Sequence, residues 1–187
     1  MVETSSILLI GCGNPSRSDD GLGHHVIDAL EWALRPCPKV KLLKTLQLDV
    51  TLAEQLARQD LVVFVDAATT CPHPQPHSPS PLPFSPGGRG VGGRGGETRG
   101  EGGISVVTLS PETPPGLNLT SHLLTPTALV SLAHWLYGRS PKAVLVAIPA
   151  HDFSFGNELS VRAAASVPHA VQTILEFLAA FDPALVT

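Results

Sequence analysis

Five consecutive apolar residues, Leu61-Val-Val-Phe-Val65, run without alternation into an acid, Asp66. A strand with one wet face alternates apolar and polar side chains, so an unbroken run of this kind predicts a strand buried on both faces. Ile7-Leu-Leu-Ile10, stopping at Gly11, has the same character. Between the two runs, Leu22, Val26, Ile27, Leu30 and Leu34 recur at helical spacing. Further strands are predicted over 39–46, 104–109 and 143–148. A short helix is predicted over 52–57, with Thr51 as N-cap and Glu54 in the capping-box position. Thr125-Pro126 supplies a cap and a first-turn proline for a helix to Tyr137, closed by Gly138. The last helical region, 160–181, is expected to be interrupted or to restart near Pro168. Strands separated by helices imply a mostly parallel, twisted sheet with helices on both faces, an α/β fold. The 187 residues suit one three-layer domain spanning 1–187. Ligands of such sheets bind beyond the carboxyl ends of the strands.

One segment does not fit this pattern. Residues 72–103 hold seven of the eighteen prolines and ten of the seventeen glycines, as a Pro/His/Ser tract followed by GGRGVGGRGGETRGEGG. That composition buries too little apolar surface to offset the entropy of ordering it, so a disordered insertion within the domain is expected. Arg89, Arg94 and Arg99 suggest an RGG-like nucleic-acid tether. However, Glu97 and Glu101 leave the segment nearly neutral, and no aromatic interleaves the glycines. The whole chain carries a formal charge of -4, which argues against a partner bound through phosphate neutralisation. Cys12, Cys37 and Cys71 include no CxxC pair and form no disulfide framework. With no signal-peptide pattern and no apolar run of membrane-spanning length, a cytoplasmic protein without nucleic-acid or membrane partners is expected.

Polar residues gather at three places where the sheet's active edge is expected. The first is Gly11-Cys-Gly-Asn-Pro-Ser-Arg-Ser-Asp19-Asp20-Gly21. Ser16 stands where a dinucleotide fingerprint requires its third glycine, and the two acids would repel a pyrophosphate. One acid is accounted for by capping a helix and complementing its dipole; two in succession suggest a further task for the other. The second place is Asp66, which ends a buried strand and needs a cation, a donor or solvent unless it simply caps a turn. The third is His122, in Thr120-Ser-His122 just before the Thr125 helix, a position equally suited to a plain loop histidine. Taken together, Asp20, Asp66 and His122 would make a mixed carboxylate and imidazole set suited to a divalent transition metal. Cys12 is read as a small buried thiol, not as a nucleophile.

The stretch ILLIGCGNPSRSDDGLGHHVIDAL resembles the N-terminus of the hydrogenase maturation endopeptidases, which process the large subunit of [NiFe] hydrogenases. The resemblance continues through Gln47-Leu-Asp, Leu61-Val-Val-Phe-Val-Asp-Ala67, Thr120-Ser-His-Leu-Leu-Thr-Pro126 and Phe153-Ser-Phe-Gly156. It covers most of the chain outside 72–103. It implies a single α/β domain and places the family's two metal-contacting acids on Asp20 and Asp66, and its histidine on His122. These three would be both the metal ligands and the catalytic residues. The metal implied is Ni2+, arriving already bound in the [NiFe] hydrogenase large-subunit precursor, from which a C-terminal peptide is removed. The chain itself is expected to be a monomer. Asp20 is shorter than the commoner glutamate at its position, and the 72–103 insertion falls close to the expected cleft.

Two other readings stay open. The Gly-x-Gly-Asn-Pro turn also suits a peptidyl-tRNA hydrolase-like esterase, although the charge and the acid pair oppose a tRNA substrate. A non-catalytic docking module that senses nickel would use the same three ligands.

Overall fold

The sheet is built around β1 (Ile7–Cys12) and β3 (Leu61–Thr69), the two elements that hold the unbroken apolar runs. The structure, a computed structural model, describes residues 6–34, 37–69, 97–99, 103–112 and 124–185. From β1 the chain passes through a short 3-10 turn at Ser18–Gly21 into α1 (Leu22–Ala33), then β2 (Val40–Thr45), α2 (Leu52–Ala57) and β3. Next come β4 (Glu97–Arg99), β5 (Ser105–Leu109), α3 (Pro126–Tyr137), β6 (Lys142–Ala150) and α4 (Val161–Phe181).

The six strands lie in the order β2-β1-β3-β6-β5-β4. Pairing is parallel from β2 to β6 and antiparallel from β6 through β5 to β4. The sheet is therefore mostly parallel, with helices on both faces, as the alternating pattern requires. Successive side chains of a strand point to opposite faces, and β3 divides its own residues in that way. Leu61, Val63 and Val65 join α1 and α4 residues such as Val26, Leu30, Ile174 and Leu178 on one face. Val62 and Phe64 join α2 and α3 residues such as Leu56, Leu129 and Ala133 on the other.

β2 lies on one side of β1 and β3 on the other, so the strand order reverses at the β1/β3 junction. Pairing of β1 with β3 stops at Gly11 and Val65, while β3 continues four residues further beside β6. A crevice opens where β1 turns away, the usual ligand position in sheets of this kind. α1 sits hard against this junction because Gly23 has no side chain: a Cβ there would strike the Cys12 and Val65 carbonyl oxygens.

Some expectations need correction. α4 runs unbroken through Pro168. Thr51 stands at the N-cap of α2, but its side chain makes no capping bond. The turn there is made instead by Asp49, whose Oδ1 accepts from the Thr51 N–H at 2.8 Å. Neither Asp19 nor Asp20 caps α1, whose N-cap is Gly21. The end of the 72–103 segment is not featureless, since Glu97–Arg99 pairs with β5; residues 72–96 lie outside the described residues. α4, at 21 residues, is long and apolar enough by composition to cross a membrane, contrary to the expectation that no segment is. Its contacts give that apolarity a use, because Ala163, Ala170, Ile174 and Leu178 pack into the core beside α1.

The predicted cap of α3 is present: Thr125 Oγ1 accepts from the Ala128 N–H at 3.1 Å, Pro126 follows, and Gly138 closes the helix at φ 66°. Thr125→Ala is expected to lower the unfolding free energy by about 1 kcal/mol, read from the urea midpoint. An unchanged midpoint would show that solvent replaces the bond.

Candidate functional site

The crevice at the β1/β3 junction opens into a cleft of about 770 Å³. It is lined by Cys12 at the end of β1, by Gly13 and Asn14 just after it, and by Asp66 and Ala67 of β3. Asp20, Leu48, Thr125 and Phe153 are among the residues that wall it. The polarity pattern follows from the strand alternation. Asp66 shares the parity of Val62 and Phe64, so it emerges on the α2/α3 side just where the apolar packing ends.

Asp20 reaches the cleft through the turn after β1. Gly13 makes that turn possible: it holds φ 119°, and a Cβ on it would collide with the Asp20 backbone carbonyl. The Asn14 N–H donates to Asp20 Oδ2 at 2.9 Å. Asp66 is half-buried, and its Oδ1 accepts from the Ala67 N–H at 2.8 Å. Burial pushes the Asp66 carboxyl up to about 6; the Ala67 hydrogen bond opposes this and the negative charge of Asp20 adds to it. Two acids thus share one cleft, and the charge of Asp20 disfavours ionisation of Asp66. Such a pair can share a proton, bind a divalent cation, or act as a base near neutral pH. These oxygens are hard donors suited to a divalent ion.

The structure brings Asp20 and Asp66 to one cleft. His122 lies outside the described residues, and among the described residues no group of three or more His, Cys, Asp or Glu side chains is placed to hold a metal ion. Cys12 lines the same cleft but is a poor nucleophile, because burial, with the nearby Asp66 charge, pushes its thiol up to about 12.

Asp19 turns away from the cleft. It is 0% exposed, and its Oδ2 accepts from the His151 and Asp152 N–H groups, each at 2.9 Å, and from Ser160 Oγ at 2.9 Å. Its Oδ1 accepts from the Ser160 N–H at 2.7 Å. Burial alone would raise its pKa, but these bonds outweigh that and hold the carboxyl below its ordinary value. Arg17 spans the same gap. Its Nε and Nη2 donate to the Phe153 carbonyl at 3.3 and 3.2 Å, and its guanidinium stands 5.8 Å from the Phe155 ring centroid. Neither Arg17 nor Phe153 carries a sequence signal for a role, and the division between Asp19 and Asp20 came from the resemblance, which selects Asp20 as the site acid. In the residues themselves only the adjacency of two carboxylates hinted at a division of tasks, since the partners lie more than 130 positions away.

No protein-family model matches the chain, and no curated protein matches it. Solved structures do. The hydrogenase maturating endopeptidase HybD from E. coli superposes with a TM-score of 0.65 at 18% identity, over 95% of this chain and 94% of that one. The [NiFe] hydrogenase maturation protease HycI from Thermococcus kodakarensis KOD1 gives 0.59 at 23% identity, over 93% and 92%. The [NiFe] hydrogenase maturation protease HybD from Thermococcus kodakarensis gives 0.54 at 18% identity, over 92% and 98%. The chain has the fold of the hydrogenase maturation endopeptidases.

Proposed function

We propose that the chain belongs to the hydrogenase maturation endopeptidases and removes a C-terminal peptide from a [NiFe] hydrogenase large-subunit precursor. The observation that carries this reading is the pair of acids, Asp20 and Asp66, meeting in a cleft at the topological switch point of this fold. The cleft is open and walled by both apolar and polar groups, which suits a peptide segment better than a small enclosed ligand.

Asp20, Asp66 and His122 would hold Ni2+ carried by the precursor, and the ion when bound would supply Lewis-acid polarisation of a carbonyl. The remaining work falls to the chain itself. If Asp66 does not ligate the ion, its carboxyl, raised by burial to about 6, would instead take a proton from an attacking water and return it to the leaving amine. Asp20, fixed by the Asn14 N–H, keeps a second negative charge beside it. Leu46, Leu48 and Phe153 line the same cleft and would offer apolar surface to the peptide.

The test is co-expression with a hydrogenase large-subunit precursor and mass measurement of the precursor. Wild type is expected to shorten it, whereas Asp20→Ala, Asp66→Ala and His122→Ala leave it full-length in folded protein. Full processing by any of these variants would remove that residue from the machinery. Stable co-purification without a mass change would make the protein a docking module instead.

A further inference from the structure

The geometry points to Asp19 as a positioning residue that sets where Asp20 stands in the cleft; the inference rests on reading Asp20 as a site acid. The two acids are consecutive in the 3-10 turn Ser18–Gly21, where successive side chains diverge by about 120°. Fixing the direction of one therefore fixes the other. Asp19 is fixed by four hydrogen bonds to the 151–160 segment, all between 2.7 and 2.9 Å.

The backbone of the turn is joined to the same segment. Ser18 N–H donates to the Gly156 carbonyl at 2.9 Å, Asp19 N–H to the Asp152 carbonyl at 2.9 Å, and Gly156 N–H to the Ser16 carbonyl at 3.1 Å. The fit is close enough that a Cβ on Gly156 would lie 2.9 Å from Ser18 Oγ.

The turn is also strained. Ser18 holds φ 47°, a conformation that disfavours a residue with a Cβ by roughly 1–2 kcal/mol. Such a conformation persists only where its surroundings over-determine it, and the Asp19 bonds lie one residue away. Without them only the backbone bonds to Asp152 and Gly156 oppose the strain at Ser18, and relaxation to negative φ would swing Asp20 off the Asn14 N–H and out of the cleft. Asp19, turned away from the cleft, acts through Asp20.

The Asn14 amide reports the position of Asp20 directly, since it donates to Asp20 Oδ2 at 2.9 Å. In 15N-correlated NMR spectra of the full chain, Asp19→Asn is expected to move the Asn14 signal at least halfway to its position in Asp20→Ala. Adding Ser18→Gly, which accepts positive φ without strain, is expected to bring it back toward wild type. In precursor processing, Asp19→Asn should lower kcat by roughly 10–100-fold with KM within about twofold, the scale of a lost supporting contact. A merely structural role would lower Tm while leaving the Asn14 signal and the kcat of the folded protein unchanged, and that result overturns the proposal. If Asp19→Asn does not fold, Ser160→Ala removes one of the four bonds and must shift Asn14 the same way by less; an unmoved signal again overturns it. Failure of wild type to cut any precursor would sink the proposed function, while the Asn14 signal would still decide the role of Asp19.

Discussion

Asp66→Asn is expected to make the protein more stable at neutral pH while removing the proposed processing activity. The folded-state pKa of Asp66 is raised from 3.8 to about 6, first by burial. For an acid raised in this way, folding favours the protonated form. Below about pH 4 the group is protonated in both states and has no effect. Between about pH 4 and 6 the unfolded chain has lost the proton and the folded protein keeps it, so stability falls as pH rises. Above about pH 6 the deficit is complete. Two pKa units correspond to nearly 3 kcal/mol as an upper bound, and roughly 1–2 kcal/mol is expected because the carboxylate borders solvent. Asparagine keeps the oxygen that accepts from Ala67 N–H but never ionises. Its Tm should therefore exceed that of wild type by roughly 2–8 °C at pH 7.5 and match it at pH 4. The cleavage rate should fall by roughly 10²–10⁴-fold, the contribution of a general base. Equal melting temperatures at pH 7.5 would mean that the Asp66 charge is well solvated. Loss of activity together with gained stability is the pattern expected where an unfavourable charge is kept for chemistry.

The legible parts of the fold were those whose signals are local. The apolar runs at Ile7 and Leu61 predicted buried parallel strands because nothing polar interrupts them, and both became the centre of the sheet. Thr125, Pro126 and Gly138 marked both ends of α3 within a few residues of each end. Pro168 was misread because its local cost, about 3 kcal/mol in a helix interior, was weighed against nothing. Yet Ala163, Val167, Ala170, Ile174 and Leu178 keep helical spacing straight across it and pack on one face. That shared burial outweighs a missing N–H. At the site, the glycine turn and the apolar run leading into Asp66 showed where two acids would stand, although Asp66 does not end the strand, since β3 continues to Thr69 beside β6. Which of Asp19 and Asp20 would face the cleft was not legible from the residues alone, because the deciding partners, His151, Asp152 and Ser160, are distant in sequence. The placement of His122 lies outside the described residues, so its part in the site rests on the resemblance.

The largest loss of stability is expected from Asp19→Ala. The substitution leaves the N–H groups of His151, Asp152 and Ser160 without the carboxylate that now accepts from all three, and it frees Ser160 Oγ as well. A donor that loses a buried carboxylate acceptor forfeits up to about 1–3 kcal/mol, and less here because His151 and Asp152 are exposed residues that solvent reaches. Water entering the vacated space recovers part of this, so roughly 3–5 kcal/mol is expected, not the sum of four bonds. The damage should spread along α4, because Ser160 is its N-cap and accepts from the Ala163 N–H at 3.2 Å. The pH dependence runs opposite to that of Asp66. The Asp19 pKa is depressed in the folded protein, so its contribution is complete above the ordinary aspartate range and is lost as pH falls through the folded value. Urea unfolding should therefore show a wide gap between wild type and Asp19→Ala at pH 7 that narrows as the pH is lowered below about 4. Hydrogen exchange at neutral pH should accelerate first in the opening turn of α4, with the β1 and β3 amides following only through global unfolding. A gap that stays constant with pH would show that Asp19 supports the fold by packing and not by its charge.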